Sequence, residues 1–152
     1  MKLLGIHQLK EQFERGTLTP TELVKQIGRK LENEDPAIWI HRISHESLLD
    51  RARDLEKSSP KELPLYGIPF AVKDNIDVAG CPTSAGCPDF TYLAKEHATV
   101  VKLLLEAGGL LIGKTNMDQF ATGLVGTRSP YGVAGNAFDR SYIPGGSSSG
   151  SA

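Results

Sequence analysis

Two features of this sequence could do chemistry together: a serine-rich run at residues 145–152 and a lysine upstream, Lys73. The run holds consecutive serines between glycines, a pattern that can aim hydroxyl groups and backbone amides at one point. Lys73 follows the apolar run 68–72, where burial would penalise a charged ammonium and favour a neutral amine. A neutral amine beside a serine hydroxyl is a general base, so the pair predicts Ser/Lys nucleophilic chemistry.

Each half of this pair also has a simpler interpretation. Lys73 could form an ion pair with Asp74 or Asp77 instead of serving a serine. A run of glycine and serine is typical of a solvated linker. Composition alone favours the linker over a catalytic role for the serine run.

A third candidate is the stretch 108–115, which matches the phosphate-binding pattern G-x-x-x-x-G-K-[ST] letter for letter. That pattern binds nucleotides when a glycine-rich loop follows a strand and opens a helix. Here a helix is predicted before the match, and residues 110–112 favour a strand whose amides are used in pairing. We therefore expect no nucleotide binding; saturable, magnesium-dependent binding that Lys114→Ala removes would contradict this.

Helical patterns dominate the first part of the sequence, and residues 1–57 are predicted to be helical. Residues 19–22 are typical of a helix start, with Thr19 as the capping residue and Glu22 placed to reach back to its N–H. Apolar residues then recur at every fourth position up to Leu31. A second helix is predicted from about Ser47 to Lys57, and its apolar side is interpreted as core packing.

Short apolar runs at 68–73 and 110–113 predict buried strands, and residues 98–107 between them predict a helix that ends at Gly108. Such a strand–helix–strand unit implies parallel pairing with a right-handed crossover, so the predicted fold class is α/β. Residues 78–90 are rich in glycine, proline, serine and cysteine and are predicted to form a loop.

A polar, proline-containing connector at residues 58–64 suggests how the chain is divided. We predict an N-terminal helical region at 1–60. Residues 61–152 are predicted to be the front part of the α/β domain that carries the chemistry.

Composition restricts the classes of function. With 17 Lys and Arg against 18 Asp and Glu the net charge is −1, which gives no electrostatic case for a nucleic-acid partner. No apolar run approaches the roughly 18 residues of a membrane span, and residues 1–8 lack the pattern of a secretory signal. The two cysteines, Cys81 and Cys87, are too few for a disulfide framework or a zinc site. We therefore predict a cytoplasmic setting, with no metal, cofactor or membrane partner.

Three blocks, at residues 64–76, 113–121 and 144–151, resemble the amidase signature family in order and spacing. The resemblance implies a mixed sheet core flanked by helices. It also implies that Lys73 is the catalytic lysine and that Ser147 is the bridging serine, preceded by a cis peptide bond. In the implied mechanism the lysine takes a proton from the bridging serine, which takes one from an attacking serine. The amide nitrogen leaves as ammonia, and water releases the acyl group.

Residues 116–132 are similar to the allophanate hydrolase branch, which splits allophanate, the product of urea carboxylation, to ammonia and carbon dioxide. Because this substrate is a small anion, a cation is expected in the pocket, and Arg128 is the candidate, with loop bracing as the alternative. Further residues could contact the substrate or brace the loop: Asn116, Tyr131, Gly145, Gly146 and Ser148. The alternative branch, the amidase subunit of glutamyl-tRNA amidotransferase, usually carries Gly-Gly-Ser-Ser-Gly-Gly at the signature.

The resemblance places the attacking serine in a later segment than Ala152. We therefore expect the 152-residue chain alone to show no amidase turnover. Ammonia release from an amide, abolished by Lys73→Ala, would contradict this expectation. An apolar face where further strands would pack also predicts self-association or instability. The remaining alternative is a non-catalytic remnant that keeps the front half of the fold for binding.

Overall fold

The computed structural model describes residues 5–152. Residues 1–4, which belong to the predicted helical region and to the start predicted not to be a secretory signal, lie outside the described part. The chain divides into two compact units. The first contains the described residues up to Asn33, Ile43–Phe70 and Lys102–Ile112. The second contains Glu34–Arg42, Ala71–Val101 and Gly113–Ala152. Across residues 5–152, no helix is both long enough and apolar enough to cross a membrane.

Three helices form in the first unit, within the stretch predicted to be helical: α1 (Ile6–Glu14), α2 (Pro20–Leu31) and α3 (His45–Leu55). The predicted start of α2 is confirmed, because Thr19 Oγ1 accepts from the Glu22 N–H at 3.2 Å and the Glu22 carboxylate accepts from the Thr19 N–H at 2.9 Å. Helix α3 begins at His45 rather than Ser47, because the Ser44 side chain caps it. The face of α3 that was predicted to lie in the core is buried: Leu48, Ala52 and Leu55.

One strand, β1 (Trp39–Arg42), lies inside the stretch predicted to be helical and was not expected there. A single 3₁₀ turn, Pro36–Ile38, replaces the expected helix. The aromatic and β-branched residues that follow it favour extended backbone. β1 pairs antiparallel with β5 (Leu110–Thr115), and this register places His41 opposite Lys114.

The predicted strand–helix–strand unit is present as β2 (Pro69–Lys73), α4 (Thr99–Glu106) and β5. The three-stranded sheet has the order β1-β5-β2. The Leu110 N–H donates to the Ile68 carbonyl at 2.9 Å, and the Asp74 N–H donates to the Thr115 carbonyl at 3.1 Å. These bonds advance in the same direction along both strands, as in a parallel pair. The predicted α/β class is confirmed, and the hand of the crossover stays a prediction.

Position in the sheet decides how far each strand is buried. Every residue of the central strand β5 is buried, as predicted. β2 lies at an edge of the described sheet, and of its residues only Val72 is buried. The prediction of a buried strand is therefore wrong for β2, whose Ala71 is exposed and whose Lys73 is half-buried.

The stretch that matches the phosphate-binding pattern is not a loop, because β5 takes up its residues from Leu110 onward. Gly108 follows α4 with a φ of +96°, a conformation that glycine adopts at low cost. The Lys114 side chain is fully buried, and its Nζ donates to the Pro82 carbonyl at 2.8 Å and to Thr83 Oγ1 at 2.5 Å. The strand predicted at residues 110–113 is therefore confirmed, and Lys114 makes its hydrogen bonds inside the protein.

The second unit is largely irregular, as predicted for residues 78–90. Its exceptions there are a 3₁₀ turn at Pro88–Phe90 and β3 (Pro82–Thr83), which pairs antiparallel with β4 (Tyr92–Leu93). After β5, the described chain has one further 3₁₀ turn, Gln119–Ala121. Irregular backbone needs side chains to satisfy its polar groups, and buried side chains that do so here are Asp74, Lys114, Asn116 and Asp118.

Candidate active site

The structure brings Lys73 and Ser147 together. β2 ends at Lys73, and Lys73 Nζ lies 2.5 Å from Ser147 Oγ although 74 positions separate the two residues. Both residues are half-buried. An amine and a hydroxyl within hydrogen-bond distance can exchange a proton directly. This is the geometry that Ser/Lys chemistry requires of the pair; the chemical role of each residue remains a proposal.

The ion pairs considered for Lys73 do not form. Asp74 Oδ1 instead lies 3.3 Å from the Nζ of Lys114, and Asp77 accepts a hydrogen bond from the Tyr92 hydroxyl at 2.8 Å. That hydrogen bond to Asp77 raises the pKa of Tyr92 above its ordinary value. Successive residues along a strand point to opposite faces, so Lys73 and Asp74 meet different neighbours.

The serine run is an ordered loop, so its interpretation as a solvated linker is wrong. The Gly150 N–H donates to the Asn116 carbonyl at 2.9 Å, which ties the run to the residue that follows β5. Gly145 has a φ of +90°, which a residue with a side chain rarely adopts. The Gly146–Ser147 peptide bond is cis, as the family resemblance implies.

The other serines of the run have different neighbours from Ser147. Ser148 is half-buried, and its carbonyl accepts from the Ser151 N–H at 2.9 Å. Ser149 is buried, and Ser151 Oγ lies 2.8 Å from Thr115 Oγ1. Ser147 is therefore the member of the run whose hydroxyl faces the lysine amine.

Asn116, predicted either to contact substrate or to brace a loop, is hydrogen-bonded to its surroundings. Its side chain is fully buried, and its Nδ2 donates to the carbonyls of Ala37 at 2.8 Å and Gly132 at 3.0 Å. Its Oδ1 accepts from the Ser129 hydroxyl at 2.6 Å and from the Met117 N–H at 2.7 Å. These bonds use both donors and both acceptor positions of the amide.

Arg128 and Tyr131 lie on the loop to which Asn116 is hydrogen-bonded. The Arg128 guanidinium donates to the Thr122 carbonyl at 3.3 Å, and the residue is exposed. The Tyr131 hydroxyl donates to Ser84 Oγ at 3.3 Å. Both contacts lie within the second unit, and the choice between substrate contact and loop bracing stays a prediction for these residues.

Two fully buried aspartates, Asp74 and Asp118, were not among the catalytic or substrate-binding candidates predicted from sequence. Asp74 Oδ2 accepts from the N–H of Ser84 at 3.0 Å and from its hydroxyl at 2.6 Å. Asp118 donates its own N–H to the Ser147 carbonyl at 2.9 Å. An acidic residue that follows a predicted strand within a few positions is the signal that could have identified both.

Replacing His41 by glutamine is expected to reduce the loss of stability in acid. Burial lowers the pKa of His41 below its ordinary value of 6.5, and the Lys114 ammonium lowers it further, against an opposing effect of Asp74. The unfolded chain therefore takes up this proton at a higher pH than the folded chain does. The stability that His41 contributes is complete above about pH 6.5 and is lost as the pH falls through the folded pKa.

The measurement is the free energy of unfolding in urea at about pH 7.5 and about pH 5.5, for the wild type and His41→Gln. We expect the difference between the two pH values to be smaller in the variant. An equal difference in both proteins would show that His41 does not contribute to the acid sensitivity.

Comparison with known proteins decides the family. A family model described as Amidase matches residues 22–152, which is most of the chain. The chain belongs to the amidase family. Amidases of this family are hydrolases that act on the C–N bonds of amides. The resemblance to the amidase signature family is therefore confirmed.

Individual amidases add detail. Urea amidolyase of Saccharomyces cerevisiae is 57% identical over 115 residues, which are 75% of this chain and 6% of that protein. The structure of Kluyveromyces lactis allophanate hydrolase matches with a TM-score of 0.80 and 46% identity, over 93% of this chain and 24% of that one. A glutamyl-tRNA(Gln) amidotransferase subunit from Akkermansia muciniphila is 42% identical over 146 residues, which are 95% of this chain and 30% of that protein.

The chain thus spans less than a third of the length of each of these proteins. The predicted resemblance to the allophanate hydrolase branch is confirmed by the yeast proteins. The glutamyl-tRNA amidotransferase branch is also similar to this chain, at lower identity.

Proposed function

We propose that this chain carries the proton-transfer pair of an amidase that hydrolyses allophanate to ammonia and carbon dioxide. The observation that carries the proposal is the 2.5 Å contact between Lys73 Nζ and Ser147 Oγ. The choice of allophanate as the substrate is supported by the 57% identity with urea amidolyase and the 46% identity with allophanate hydrolase over the matched residues.

In the proposed reaction, the unprotonated amine of Lys73 takes the proton of the Ser147 hydroxyl, and the Ser147 oxygen takes the proton of an attacking serine. The oxygen of that serine bonds to the amide carbonyl carbon. The C–N bond then breaks, and the nitrogen receives a proton by the reverse path and leaves as ammonia. Water adds to the resulting acyl ester, which releases the serine and an N-carboxylated carbamate. This product loses carbon dioxide to leave carbamate, which breaks down to the second ammonia and a second carbon dioxide. Lys73 is the general base and Ser147 the relay; the attacking serine is taken from the family resemblance.

We place this reaction in the cytoplasm. Cys81 and Cys87 are both free thiols, as in a compartment that keeps cysteines reduced. Burial raises the pKa of the Cys81 thiol, which keeps it in its unreactive protonated form.

A second candidate is an amidase that releases ammonia from glutamine, as part of a glutamyl-tRNA amidotransferase. The observation that favours it is the 42% identity with the Akkermansia muciniphila amidotransferase protein over 95% of this chain. The proton-transfer pair would serve both substrates, because both reactions open a C–N bond of an amide.

The test compares substrates on the protein as its gene encodes it. Allophanate, glutamine and propionamide are supplied separately, and ammonia release is recorded. We expect the highest kcat/KM with allophanate, by at least about tenfold. A preference for glutamine would replace the proposal by the second candidate. Allophanate binding without ammonia release from any of the amides would overturn both and support the non-catalytic binding module.

A further inference from the structure

The catalytic proposal leaves unexplained why a carboxylate is fully buried beside the serine loop. Asp118 follows β5 and is shielded from solvent. From its contacts we propose that Asp118 is a positioning residue, which holds Ser147 in place for proton transfer to Lys73. This inference rests on the proposed function and extends it to a residue that touches neither the substrate nor the reacting atoms.

Asp118 holds the serine through its backbone. Its N–H donates to the Ser147 carbonyl at 2.9 Å. A peptide held at its carbonyl cannot rotate freely, so this bond restricts the direction in which the Ser147 side chain leaves the loop. The side chain of Asp118 then decides where its own backbone lies.

The carboxylate of Asp118 is tied to the loop that precedes the serine run. Oδ2 accepts from the Gly126 N–H at 3.0 Å, and Oδ1 accepts from the Arg128 N–H at 2.8 Å. Hydrogen bonds to a charged acceptor are about twice as strong as bonds between neutral groups. Asp118 thereby links the loop to Ser147: its carboxylate binds the loop and its own N–H binds the Ser147 carbonyl.

Glycines close around the carboxylate. A side-chain carbon at Gly146 would overlap Asp118 Oδ2, and one at Gly123 would overlap the carboxylate carbon and lie 2.7 Å from Oδ1. Gly146 is also the residue directly before Ser147. Asp118 therefore touches the Gly146–Ser147 segment twice, through its carboxylate at Gly146 and through its N–H at the Ser147 carbonyl.

The test uses Asp118→Asn, which keeps the size of the side chain but presents an NH₂ group to one of the two N–H donors. The readout is the rate at which N-hydroxysuccinimide acetate acetylates Lys73, followed by peptide mass spectrometry on the protein as its gene encodes it. The variant Ser147→Ala gives the acetylation rate of Lys73 in the absence of the Ser147 hydroxyl. We expect both variants to raise the rate by about two- to tenfold, the factor of one lost hydrogen bond.

This readout needs no turnover, so it remains valid if the allophanate proposal fails. Asp139→Asn is the matched control, because Asp139 also accepts a backbone N–H, from Ser141 at 2.9 Å, but is exposed. The control is expected to leave the acetylation rate of Lys73 unchanged. Where the protein turns over, kcat of Asp118→Asn is expected to fall while KM is retained.

A second variant, Gly123→Ala, displaces the carboxylate without removing its charge, and it is expected to reproduce the effect of Asp118→Asn on Lys73. Gly5→Ala meets nothing within 4 Å and serves as its control. A lower melting temperature with an unchanged acetylation rate in folded protein, for either Asp118→Asn or Gly123→Ala, would make Asp118 a residue of stability alone and overturn the proposal.

Discussion

Replacing Lys73 by alanine is expected to lower kcat for amide hydrolysis by about 10²- to 10⁴-fold. The amine lies 2.5 Å from Ser147 Oγ, and without it the hydroxyl loses the base that takes its proton. Ser147→Ala is expected to cost a similar factor, because it interrupts the same path at the next atom. Steady-state ammonia release by the protein as its gene encodes it measures both effects.

The double variant separates a shared path from two independent contributions. If Lys73 and Ser147 act as a unit, the double variant is expected to be no slower than the slower single variant. Lys95→Ala removes an exposed lysine of the same unit and is expected to keep the wild-type kcat. Losses that multiply in the double variant would contradict the relay from Ser147 to Lys73.

The parts of this molecule that were predictable depend on neighbours in sequence. The start of α2 follows from Thr19 and Glu22, whose two hydrogen bonds join residues three positions apart. β5 follows from an apolar run bounded by Gly109, and Lys73 marks the end of β2. The pairing of Lys73 with Ser147 came from the family resemblance, because composition alone favoured a linker. The domain boundary near residue 60 stays a prediction.

The parts that were missed depend on partners far away in sequence. β1 forms because it pairs with an edge of β5. The helical sequence patterns on either side of β1 contain no information about this distant strand. The amide of Asn116 donates to the carbonyls of Ala37 and Gly132, which lie far from it in sequence. Likewise, the match to a phosphate-binding pattern includes Lys114, whose hydrogen-bond partners lie on β3. Residue types suggested polar chemistry in each case, but only the packed chain shows which groups are satisfied.

Replacing Lys114 by methionine is expected to lower the free energy of unfolding by about 3 to 5 kcal/mol, the usual cost of leaving one member of a buried ion pair alone. Lys114 and Asp74 are both fully buried, and their charged groups lie 3.3 Å apart. Asp74 Oδ1 accepts no hydrogen bond from the described residues, so the Lys114 ammonium is the neighbour that compensates its charge. Urea unfolding at neutral pH measures the loss.

Two further variants show whether the effect comes from charge. Lys102→Met breaks an exposed pair with Glu106, 3.9 Å apart, and is expected to cost at most about 1 kcal/mol. Adding Asp74→Asn to Lys114→Met removes the uncompensated carboxylate, so the double variant is expected to be more stable than Lys114→Met alone. If Lys114→Met cost no more than Lys102→Met, the pair would be dispensable. If the added Asp74→Asn deepened the loss instead, the Ser84 hydrogen bonds, not the ion pair, would be what Asp74 contributes.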